Sequence, residues 1–468
     1  MTNSYHFIGI GGIGMSALAS LLLDKGYQVS GSDLRANQVT ERLKKRGANI
    51  SLGHSPKNVK NVDFVVYSSA IEEDNPEFLK AKKKNIPVMQ RAQLLAELMK
   101  GHTAITIAGA HGKTTTSSMI AHMLVKANFN PTTAVGGIVH GASSHAQLGG
   151  GQYFVTEVDE SDGSFLYFSP QYSVITNIDF EHVDYYKNWQ SILDAFSKFI
   201  ERTVEGGVIL AYGDDEQLLN LLKSSQVPYQ TYGFLPHNNI SATEITYDQF
   251  LSQFHCIVDG RNLGEVHLNI PGRHNVANAL ACISLGLNLS IDFELICESL
   301  KEYIGVQRRF QLKDKVNDIW VIDDYAHHPT EIRTILETAQ LFKQALPSED
   351  SQLITIVQPH RFSRVEALLD GFAESLIHSD QMIVTDIYAA SEKPIEGITA
   401  QHLCQKVCAL TDKPVCYIPK EEIVDYLIAT ATPHDVVLML GAGDISAIAD
   451  DFVAALQEKF VEVEKAQL

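Results

Sequence analysis

A glycine-rich segment near the start of the chain has the spacing of a nucleotide-binding turn. Gly9, Gly11 and Gly14 form the pattern G-x-G-x-x-G at the end of an apolar run, and Asp33 follows 19 residues beyond the last glycine. Such glycines allow a tight turn and the close approach of a pyrophosphate to a helix N-terminus, and the later carboxylate can accept hydrogen bonds from a ribose. The pattern predicts a nucleotide diphosphate site. It leaves open a nicotinamide dehydrogenase and a glycine turn with a purely structural role.

A second segment, GAHGKTT at residues 109–115, has the core of a phosphate-binding loop. The general pattern would place glycine at position 107, where this chain has Ile107, so the match is partial. In such a loop backbone N–H groups face phosphate oxygens, Lys113 reaches the β- and γ-phosphates, and Thr114 offers its hydroxyl to Mg²⁺. The strand and helix patterns on either side favour this interpretation over a glycine turn that merely precedes a lysine.

Two further residues at predicted strand ends could complete a metal site. Glu157 closes the run FVTEV, and His182 follows the next predicted strand within NIDFEHVD. Each alone would be an ordinary surface residue. Because both follow a phosphate-binding loop at the edge of the same inferred sheet, we expect them to join Thr114 as Mg²⁺ ligands. Together with Lys113, they are the expected catalytic residues. Asp159 and Glu160 are the alternatives to Glu157.

The C-terminal half of the chain carries amide and charged residues whose spacing suits ligand recognition. Asn275 and Asn278 lie three residues apart on one predicted helix face, where adjacent amides can hydrogen-bond an adenine edge. The alternative is that Asn275 caps the helix. Arg361 and Arg364 are also three apart, which suits a carboxylate clamp if their segment is helical. The alternative is that both are surface arginines paired with carboxylates such as Glu366.

The segments that carry these residues alternate between strand and helix patterns. Short apolar runs such as VDFVVY, TAITIAG, IWVIDD and DVVLML predict strands, and amphipathic stretches at helical spacing follow most of them. We therefore predict three successive α/β domains, at residues 1–100, 101–305 and 306–468. The first is expected to be Rossmann-like, the central one P-loop ATPase-like and the third Rossmann-like.

Composition excludes several classes of protein. The 468 residues include 37 Lys and Arg against 56 Asp and Glu, a net charge of −19, so the chain lacks the positive field of nucleic-acid and anionic-membrane binders. Hydrophobic residues make up 45%, enough for several cores. No segment predicts a membrane span or signal peptide, and the six cysteines form no C-x-x-C pair. We expect a cytoplasmic protein with reduced thiols that is a monomer or a weak homo-oligomer.

Four motifs in order along the chain carry a family resemblance. They are GxHGKTT at 109–115, HNxxNA at 274–279, RRF at 308–310 and DDYAHHPTE at 323–331. Together they resemble the ATP-dependent Mur ligases of peptidoglycan synthesis, and the resemblance spans nearly the whole chain. The N-terminal GIGGIGMSALA is most similar to the members that join L-alanine to UDP-N-acetylmuramate. The dehydrogenase interpretation is then disfavoured, because the first glycine motif is reassigned to a UDP diphosphate.

The resemblance implies both a reaction and a division of labour. The first domain would bind UDP-N-acetylmuramate, the central domain ATP with Mg²⁺, and the third L-alanine. The substrate carboxylate would attack the γ-phosphorus of ATP, giving an acyl phosphate and ADP, and the L-alanine amine would then displace phosphate. The amine must be neutral to attack, so a base is needed, and His182, His327 and His328 are alternatives for it.

Carried over by position, the resemblance assigns residues to each ligand. The implied UDP-sugar-binding residues are Gly9, Gly11, Gly12, Gly14, Met15, Ser16, Asp33 and Ser69. The implied ATP-binding residues are Gly109, Ala110, His111, Gly112, Lys113, Thr114, Thr115, Asn275, Asn278, Arg309 and Asp324. The implied amino-acid-binding residues are His328, Arg361 and Arg364. Several relatives carry a carbamylated lysine, after an alanine, on the helix that follows the metal histidine. Here that helix offers Lys198 after Phe196 and Ser197, so no carbamate is expected.

Three other functions compete with this one. A recycling ligase that joins a preformed tripeptide to the same UDP-sugar shares the motifs, but its usual opening is closer to GGTAMG than to the GGIGMS found here. A folylpolyglutamate-type ligase shares the GKT core and lacks the N-terminal UDP-sugar domain. A catalytically silent, nucleotide-dependent regulator is disfavoured by the presence of Lys113, Glu157 and His182.

Overall fold

The computed structural model describes residues 3–68, 70–137, 145–180, 185–348 and 350–467. The chain forms two compact units, each assembled from three stretches of sequence. The first consists of Met1–Thr243, Cys256–Gly264 and Ala277–Leu300, and the second of Glu244–His255, Glu265–Val276 and Lys301–Leu468. Within these described residues, strands and helices alternate and the strands form three sheets, so the predicted α/β fold class is confirmed.

A five-stranded parallel sheet lies at the N-terminal end of the first unit. Its strands are β1 (Ser4–Ile8), β2 (Gln28–Asp33), β3 (Asn49–Leu52), β4 (Phe64–Tyr67) and β5 (Val88–Gln90). Its helices are α1 (Ile13–Asp24), α2 (Gln38–Lys45), α3 (Pro76–Lys83) and α4 (Arg91–Met99). The order β3-β2-β1-β4-β5 places β1 at the point where the strand order reverses. Open α/β sheets bind ligands beyond the carboxyl end of the strands at such a point, which is where the glycine-rich segment follows β1.

A second sheet has ten strands and carries the phosphate-binding segment. The strands are β6 (Thr103–Ala108), β7 (Thr132–Ala134), β8 (Ala146–Gln147), β9 (Tyr153–Glu157), β10 (Tyr172–Ile175), β11 (Val208–Tyr212), β12 (Tyr229–Gly233), β13 (Ile240–Asp248), β14 (Leu251–Val258) and β15 (Arg261–Leu268). Their order is β15-β14-β13-β12-β11-β10-β6-β9-β7-β8. β6 is therefore flanked by β10 and β9, which is again a reversal point. Its residues from Ile105 to Ala108 are buried, as is typical of a central parallel strand.

In the part of the chain that the structure describes, five α-helices accompany this sheet. They are α5 (Lys113–Lys126), α6 (Trp189–Glu201), α7 (Glu216–Ser224), α8 (Arg273–Asn288) and α9 (Phe293–Glu302). Asn188 caps α6 and Asp215 caps α7, each accepting a backbone N–H of the first turn.

The third sheet belongs to the second unit. Its strands are β16 (Gln311–Val316), β17 (Ile319–Asp324), β18 (Leu353–Val357), β19 (Gln381–Val384), β20 (Val415–Tyr417) and β21 (Val436–Leu440). Its helices are α10 (Pro329–Gln344), α11 (Phe362–Leu376), α12 (Ala400–Cys408), α13 (Ile423–Thr430) and α14 (Ile445–Gln467). The order is β16-β17-β21-β18-β19-β20, with β16 antiparallel to β17 and the other pairs parallel. β17 and β18 both flank β21, so the residues after these two strands share one edge.

Apolar side chains fill the space on both faces of the third sheet. One core contains Ile322, Leu438 and Phe372, and the other contains Val321, Val437 and Phe452. The alternation of neighbours in β17 and β21 between the two cores is the period-two pattern of a covered strand. All six cysteines are free thiols. Among the helices described, none combines the length and apolar character needed to cross a bilayer.

Candidate nucleotide and substrate sites

The loop between β6 and α5 turns at two glycines in left-handed conformations. Gly109 has φ of +123° and Gly112 has φ of +83°. A Cβ on Gly109 would lie 2.8 Å from the backbone oxygen of Asn177, and one on Gly112 would lie 2.8 Å from Oδ1 of Asn278. Glycine at both positions lets the loop pass from strand to helix in close contact with these two asparagines.

Lys113, the first residue of α5, is held by its own loop and by a buried carboxylate. Its Nζ donates to the backbone oxygens of Gly109 at 2.5 Å and Ala110 at 3.1 Å, and to both carboxylate oxygens of Glu160 at 2.8 and 2.9 Å. Burial raises the pKa of the neighbouring Asp159, but the Lys113 charge and hydrogen bonds from Ser161 outweigh it and lower that pKa below its usual value. The Lys113 ammonium group thus lies among oxygen acceptors where the loop joins α5.

The structure brings Thr114 and Glu157 together beside this lysine. The Thr114 hydroxyl donates to Oε2 of Glu157 at 2.9 Å, and the Ser117 hydroxyl donates to Oε1 at 2.8 Å. The backbone N–H of Gly136 also donates to Oε1, at 2.6 Å. A carboxylate next to hydroxyl oxygens is a donor set that fits Mg²⁺, which prefers hard oxygen ligands. The third predicted ligand, His182, lies outside the described residues.

Residues that follow β10 clamp the middle of the phosphate-binding loop. The backbone oxygen of His111 accepts from the Thr176 hydroxyl at 2.6 Å and from Nδ2 of Asn177 at 3.1 Å, while its N–H donates to Oδ1 of Asn177 at 2.9 Å. Nε2 of the same histidine is 2.9 Å from Oδ2 of Asp179. His111 is therefore fixed at both its backbone and its ring. Thr115, farther along α5, is buried.

The two asparagines of α8 have different surroundings. Oδ1 of Asn278 accepts from the Thr116 hydroxyl at 3.0 Å and lies close to Gly112, so this amide is next to the phosphate-binding loop. Nδ2 of Asn275 instead donates to the backbone oxygen of Pro271 at 2.7 Å, at the start of the helix. Asn275 is the third residue of α8 and its amide donates in this contact, so the contact is not the predicted helix cap. Recognition of adenine by the pair stays a prediction.

The glycine-rich loop after β1 is tied to the end of β2. The N–H groups of Gly9 and Ile10 donate to the Ser32 backbone oxygen at 2.9 and 3.0 Å, and Gly11 N–H donates to Oδ2 of Asp33 at 2.8 Å. A Cβ on Gly11 would lie 2.8 Å from that oxygen. Asp33 also accepts the Arg35 N–H, at 3.3 Å. Its carboxylate therefore orders the loop, and its contact with a ribose stays a prediction.

The other residues assigned to the UDP-sugar divide into three groups. Gly12 is the N-cap of α1 and makes no side-chain capping bond. Met15 and Ser16 are buried, and the Ser16 hydroxyl donates to the Ile13 backbone oxygen at 2.9 Å. Because their side chains belong to the core, any contact with a ligand would come from their backbone. Ser69 lies outside the described residues.

Arg91 lies across the beginning of α1. A Cβ on Gly14 would be 2.8 Å from Cδ and 3.2 Å from Nη1 of Arg91, so glycine at this position makes room for the arginine. The third glycine of such motifs ordinarily allows a helix and a strand to pack closely. Here it also brings a guanidinium to a helix N-terminus, a combination that suits an anionic group.

In the second unit, the segments after β17 and β18 meet around two imidazoles. The rings of His327 and His360 have centroids 5.5 Å apart, and Nη1 of Arg364 donates to Nδ1 of His360 at 3.1 Å. Burial is the main reason that both histidine pKa values are lowered to about 4. The His360 ring also stacks on Tyr388, with centroids 5.6 Å apart. The cluster thus combines neutral imidazoles with a guanidinium.

The predicted arginine clamp requires Arg361 and Arg364 to lie on one helix, and only Arg364 is helical. Arg364 lies in the first turn of α11, whereas Arg361 precedes the helix with φ of +68° and is exposed. Backbone N–H of Arg361 donates to the Tyr388 oxygen at 2.9 Å. His328 is buried and caps α10, its Nδ1 accepting from the Thr330 N–H at 3.4 Å. These three residues share one edge of the sheet without forming a clamp on a common helix face.

The RRF and DDYAHH segments contact each other at the end of β17. Asp324 is fully buried and accepts the N–H groups of Phe310 at 2.6 Å and Ala326 at 2.7 Å. Burial raises its pKa to about 6. Nη1 of Arg309 is 3.8 Å from Oε1 of Glu331, and Cζ of Arg309 is 5.4 Å from the centre of the Tyr325 ring. Both oxygens of Asp324 thus have backbone partners, and the predicted contacts of Asp324 and Arg309 with ATP stay predictions.

Three family models cover most of the chain in order. The model described as Mur ligase family, catalytic domain, matches residues 4–103. The Mur ligase middle domain matches residues 107–286, and the Mur ligase, glutamate ligase domain, matches residues 308–443. The chain belongs to the Mur ligase family. The resemblance drawn from the four sequence motifs is therefore confirmed.

Relatives of this Mur ligase with curated names match it along nearly its full length. A UDP-N-acetylmuramate--L-alanine ligase of Geotalea uraniireducens is 44% identical over 453 residues, covering 97% of this chain and 98% of that protein. One of the same name from Desulfatibacillum aliphaticivorans is also 44% identical, with the same coverage. The crystal structure of UDP-N-acetylmuramate-alanine ligase from Thermotoga maritima superposes with a TM-score of 0.82 at 31% identity, covering 97% and 99% of the two chains.

Several residues at these sites were missed by the sequence analysis. Arg91 and Ser117 lie against the predicted groups, yet each belongs to a segment with no recognisable motif beyond an ordinary helix. Glu160, the alternative to Glu157 as a metal ligand, contacts Lys113. His360 follows β18 in the same cluster as the predicted arginines, but no role was assigned to it. Lys198 is exposed in the last turn of α6.

Proposed function

We propose that this Mur ligase joins L-alanine to the carboxylate of UDP-N-acetylmuramate with hydrolysis of ATP to ADP and phosphate. The observation that carries the proposal is the grouping of Lys113, Thr114 and Glu157 at the carboxyl end of β6, in a chain that aligns end to end with ligases of that name. The UDP-sugar, ATP and L-alanine are assigned to the segments 1–100, 101–305 and 306–468 respectively.

The first chemical step is proposed at the phosphate-binding loop. The carboxylate of UDP-N-acetylmuramate attacks the γ-phosphorus of ATP, the bond to the β-phosphate oxygen breaks, and an acyl phosphate and ADP result. Lys113 holds the β- and γ-phosphate oxygens, and Thr114 and Glu157 would hold Mg²⁺, with His182 as a further proposed ligand. Bound there, Mg²⁺ would neutralise charge on the transferring phosphoryl group.

The second step is the attack of the L-alanine amine on the acyl carbon, with loss of phosphate. Arg364, with Arg361 and His328, is proposed to bind the amino-acid carboxylate through charge-assisted hydrogen bonds. Burial lowers the pKa of His327 to about 4, so its imidazole is neutral near pH 7 but is a weak base. His182 and His328 remain alternatives for this base.

The UDP diphosphate is proposed to lie on the turn from Gly9 to Gly14. Two features there offer positive charge to the diphosphate. One is the N-terminus of α1, whose N-cap Gly12 makes no side-chain capping bond, and the other is the guanidinium of Arg91. The proposed location of the protein is the cytoplasm, where ATP and nucleotide sugars are found, and a monomer or weak homo-oligomer is the proposed state.

The proposal is tested by measuring phosphate release from ATP with UDP-N-acetylmuramate and a series of amine substrates. L-alanine should support turnover most efficiently, glycine and L-serine less so, and a preformed tripeptide not at all. Turnover with the tripeptide in place of L-alanine would identify a recycling ligase instead. Lack of turnover with every amine would favour a silent nucleotide-binding protein. Lys113→Ala, folded as judged by circular dichroism, serves as the inactive control.

A further inference from the structure

A buried carboxylate lies beneath the proposed sugar-nucleotide turn and is used by no step of the reaction. Glu77, in the first turn of α3, is fully buried. It accepts hydrogen bonds from the Ser32 hydroxyl at 2.6 Å, from Nδ2 of Asn58 at 2.7 Å and from the N–H of Ser55 at 3.0 Å. Nε2 of His6 is 3.1 Å from the same carboxylate, and Nδ1 of His54 lies farther away, at 3.9 Å.

These partners come from three different segments of one sheet. His6 belongs to β1, Ser32 lies next to the end of β2, and Ser55 and Asn58 belong to the loop after β3. Burial raises the pKa of Glu77, but the hydrogen bonds outweigh that effect and hold the pKa at about 2. An ionised carboxylate is expensive to bury, and an apolar side chain of similar size is often no less stabilising in such a position. The retained charge therefore points to an ordering role.

Two hydrogen-bonded paths lead from Glu77 to the glycine-rich turn. On one path, Nδ2 of Asn58 also donates to the Gly53 backbone oxygen at 3.1 Å, and the Gly53 N–H donates to the Asp33 backbone oxygen at 2.7 Å. The Asp33 carboxylate in turn accepts the Gly11 N–H at 2.8 Å. On the other path, Ser32 binds Glu77 through its hydroxyl, and its backbone oxygen accepts the N–H groups of Gly9 and Ile10.

On the first path Asp33 contacts the turn, and on the second path Ser32 does. We propose that Glu77 is a positioning residue for the sugar nucleotide: it fixes the ends of β2 and β3 relative to β1 and thereby holds the Gly9–Gly14 turn in the geometry that binds the diphosphate. This inference rests on the proposed function, since it takes the turn as the UDP-N-acetylmuramate site. It concerns binding of that one substrate and leaves the chemical steps unchanged.

The test is Glu77→Gln, which keeps the size of the side chain but replaces one acceptor oxygen by an amide that faces donors. We expect the KM for UDP-N-acetylmuramate, and the Kd for UDP alone measured by calorimetry, to rise about tenfold. The kcat and the KM for ATP should stay within about twofold, because the phosphate-binding loop is supported by other contacts. A parallel rise in the KM for ATP would show general loosening of the first unit and overturn the proposal.

Asp63→Asn is the matched control. Asp63 accepts two hydrogen bonds from Ser4, both at 2.8 Å, at the opposite end of the same sheet. The Asp63→Asn substitution should lower the melting temperature without raising the Kd for UDP. An equal rise in this Kd in Asp63→Asn and Glu77→Gln would overturn the proposal. If Glu77→Gln does not fold, Asn58→Ala decides, because it breaks only the path through Gly53. An unchanged Kd for UDP in a folded Asn58→Ala variant then counts against the proposal. Absence of ligase activity in the wild type, by contrast, would refute the proposed function, and the Kd for UDP would still report on Glu77.

Discussion

Replacing Glu160 by Gln should tighten the binding of ATP, even though Glu160 lies directly beside the phosphate-binding lysine. Lys113 donates to both oxygens of this carboxylate at 2.8 and 2.9 Å, and the two side chains are only 19% and 4% exposed. To reach the β- and γ-phosphates, the lysine must give up these contacts. ATP binding therefore competes with an ion pair within the protein.

The size of the effect follows from the geometry of that pair. Hydrogen bonds between charged groups contribute about 1.5 to 3 kcal/mol, and the partial exposure of Lys113 places this pair towards the lower end of the range. Each 1.4 kcal/mol changes a dissociation constant by about tenfold. Glutamine still accepts one hydrogen bond from the lysine but carries no charge. We therefore expect the Kd for ATP to fall about tenfold in Glu160→Gln.

The assay is calorimetric titration with a non-hydrolysable ATP analogue at fixed Mg²⁺, in the absence of the other substrates. Asp162→Asn is the control for net charge, because Asp162 is exposed on the same loop and accepts the local Ser164 N–H at 2.9 Å. Its Kd should stay within about twofold of the wild type. An unchanged or weaker affinity in Glu160→Gln would refute the competition between Glu160 and ATP for Lys113.

Three further outcomes are expected. Arg364→Ala should raise the KM for L-alanine about tenfold or more, with little change in the KM for ATP or the UDP-sugar. If three-substrate kinetics show an unchanged KM for L-alanine, the amino-acid site lies elsewhere. Gly14→Ala should raise the KM for UDP-N-acetylmuramate, because its Cβ would lie 2.8 Å from Cδ of Arg91, and an unchanged KM would exclude Arg91 from that site. The second unit should lose stability as the pH falls from 6.5 towards 4. Its half-buried His274, at the start of α8, and His327 and His360 have pKa values lowered to about 4, so they bind fewer protons in the folded than in the unfolded state in this window. Each histidine then lowers the free energy of unfolding by on the order of 1 to 2 kcal/mol, and Asp324, whose pKa is raised to about 6, opposes part of that loss. Hydrogen exchange of β17 and β18 amides, corrected for intrinsic rates, should show reduced protection at pH 5. Equal protection at pH 7.5 and 5 would contradict the lowered pKa values of His274, His327 and His360.

The parts of the fold that were predictable from sequence are those with a strong local pattern. Buried apolar runs followed by helical spacing identified β1, β6, β17, β18 and β21, because parallel strands covered on both faces are continuously hydrophobic. The long strands β13 to β15 were not predicted, since many of their residues are exposed and no apolar run identifies them. The Asp259-Gly260 turn between β14 and β15, with φ of +44° and +79°, was the available hairpin sign.

At the candidate sites, sequence reasoning reached the motifs but not their supporting contacts. Thr114 and Glu157 were expected to meet because both follow neighbouring strands of one sheet, and they lie 2.9 Å apart. The proximity of Arg91 to Gly14 and of Glu160 to Lys113 depends on the packing of segments distant in sequence. No spacing rule encodes such pairs, so only the folded structure could show them.

The central claim, that ATP activates the UDP-N-acetylmuramate carboxylate as an acyl phosphate before L-alanine attacks, is tested most directly by oxygen isotope transfer. UDP-N-acetylmuramate labelled with ¹⁸O in both carboxylate oxygens is incubated with ATP, Mg²⁺ and L-alanine, and phosphate and product are analysed by mass spectrometry. Since the attacking oxygen leaves with the phosphoryl group, one ¹⁸O should appear in each phosphate released and the other should remain in the new amide. Formation of the amide with unlabelled phosphate would contradict this account.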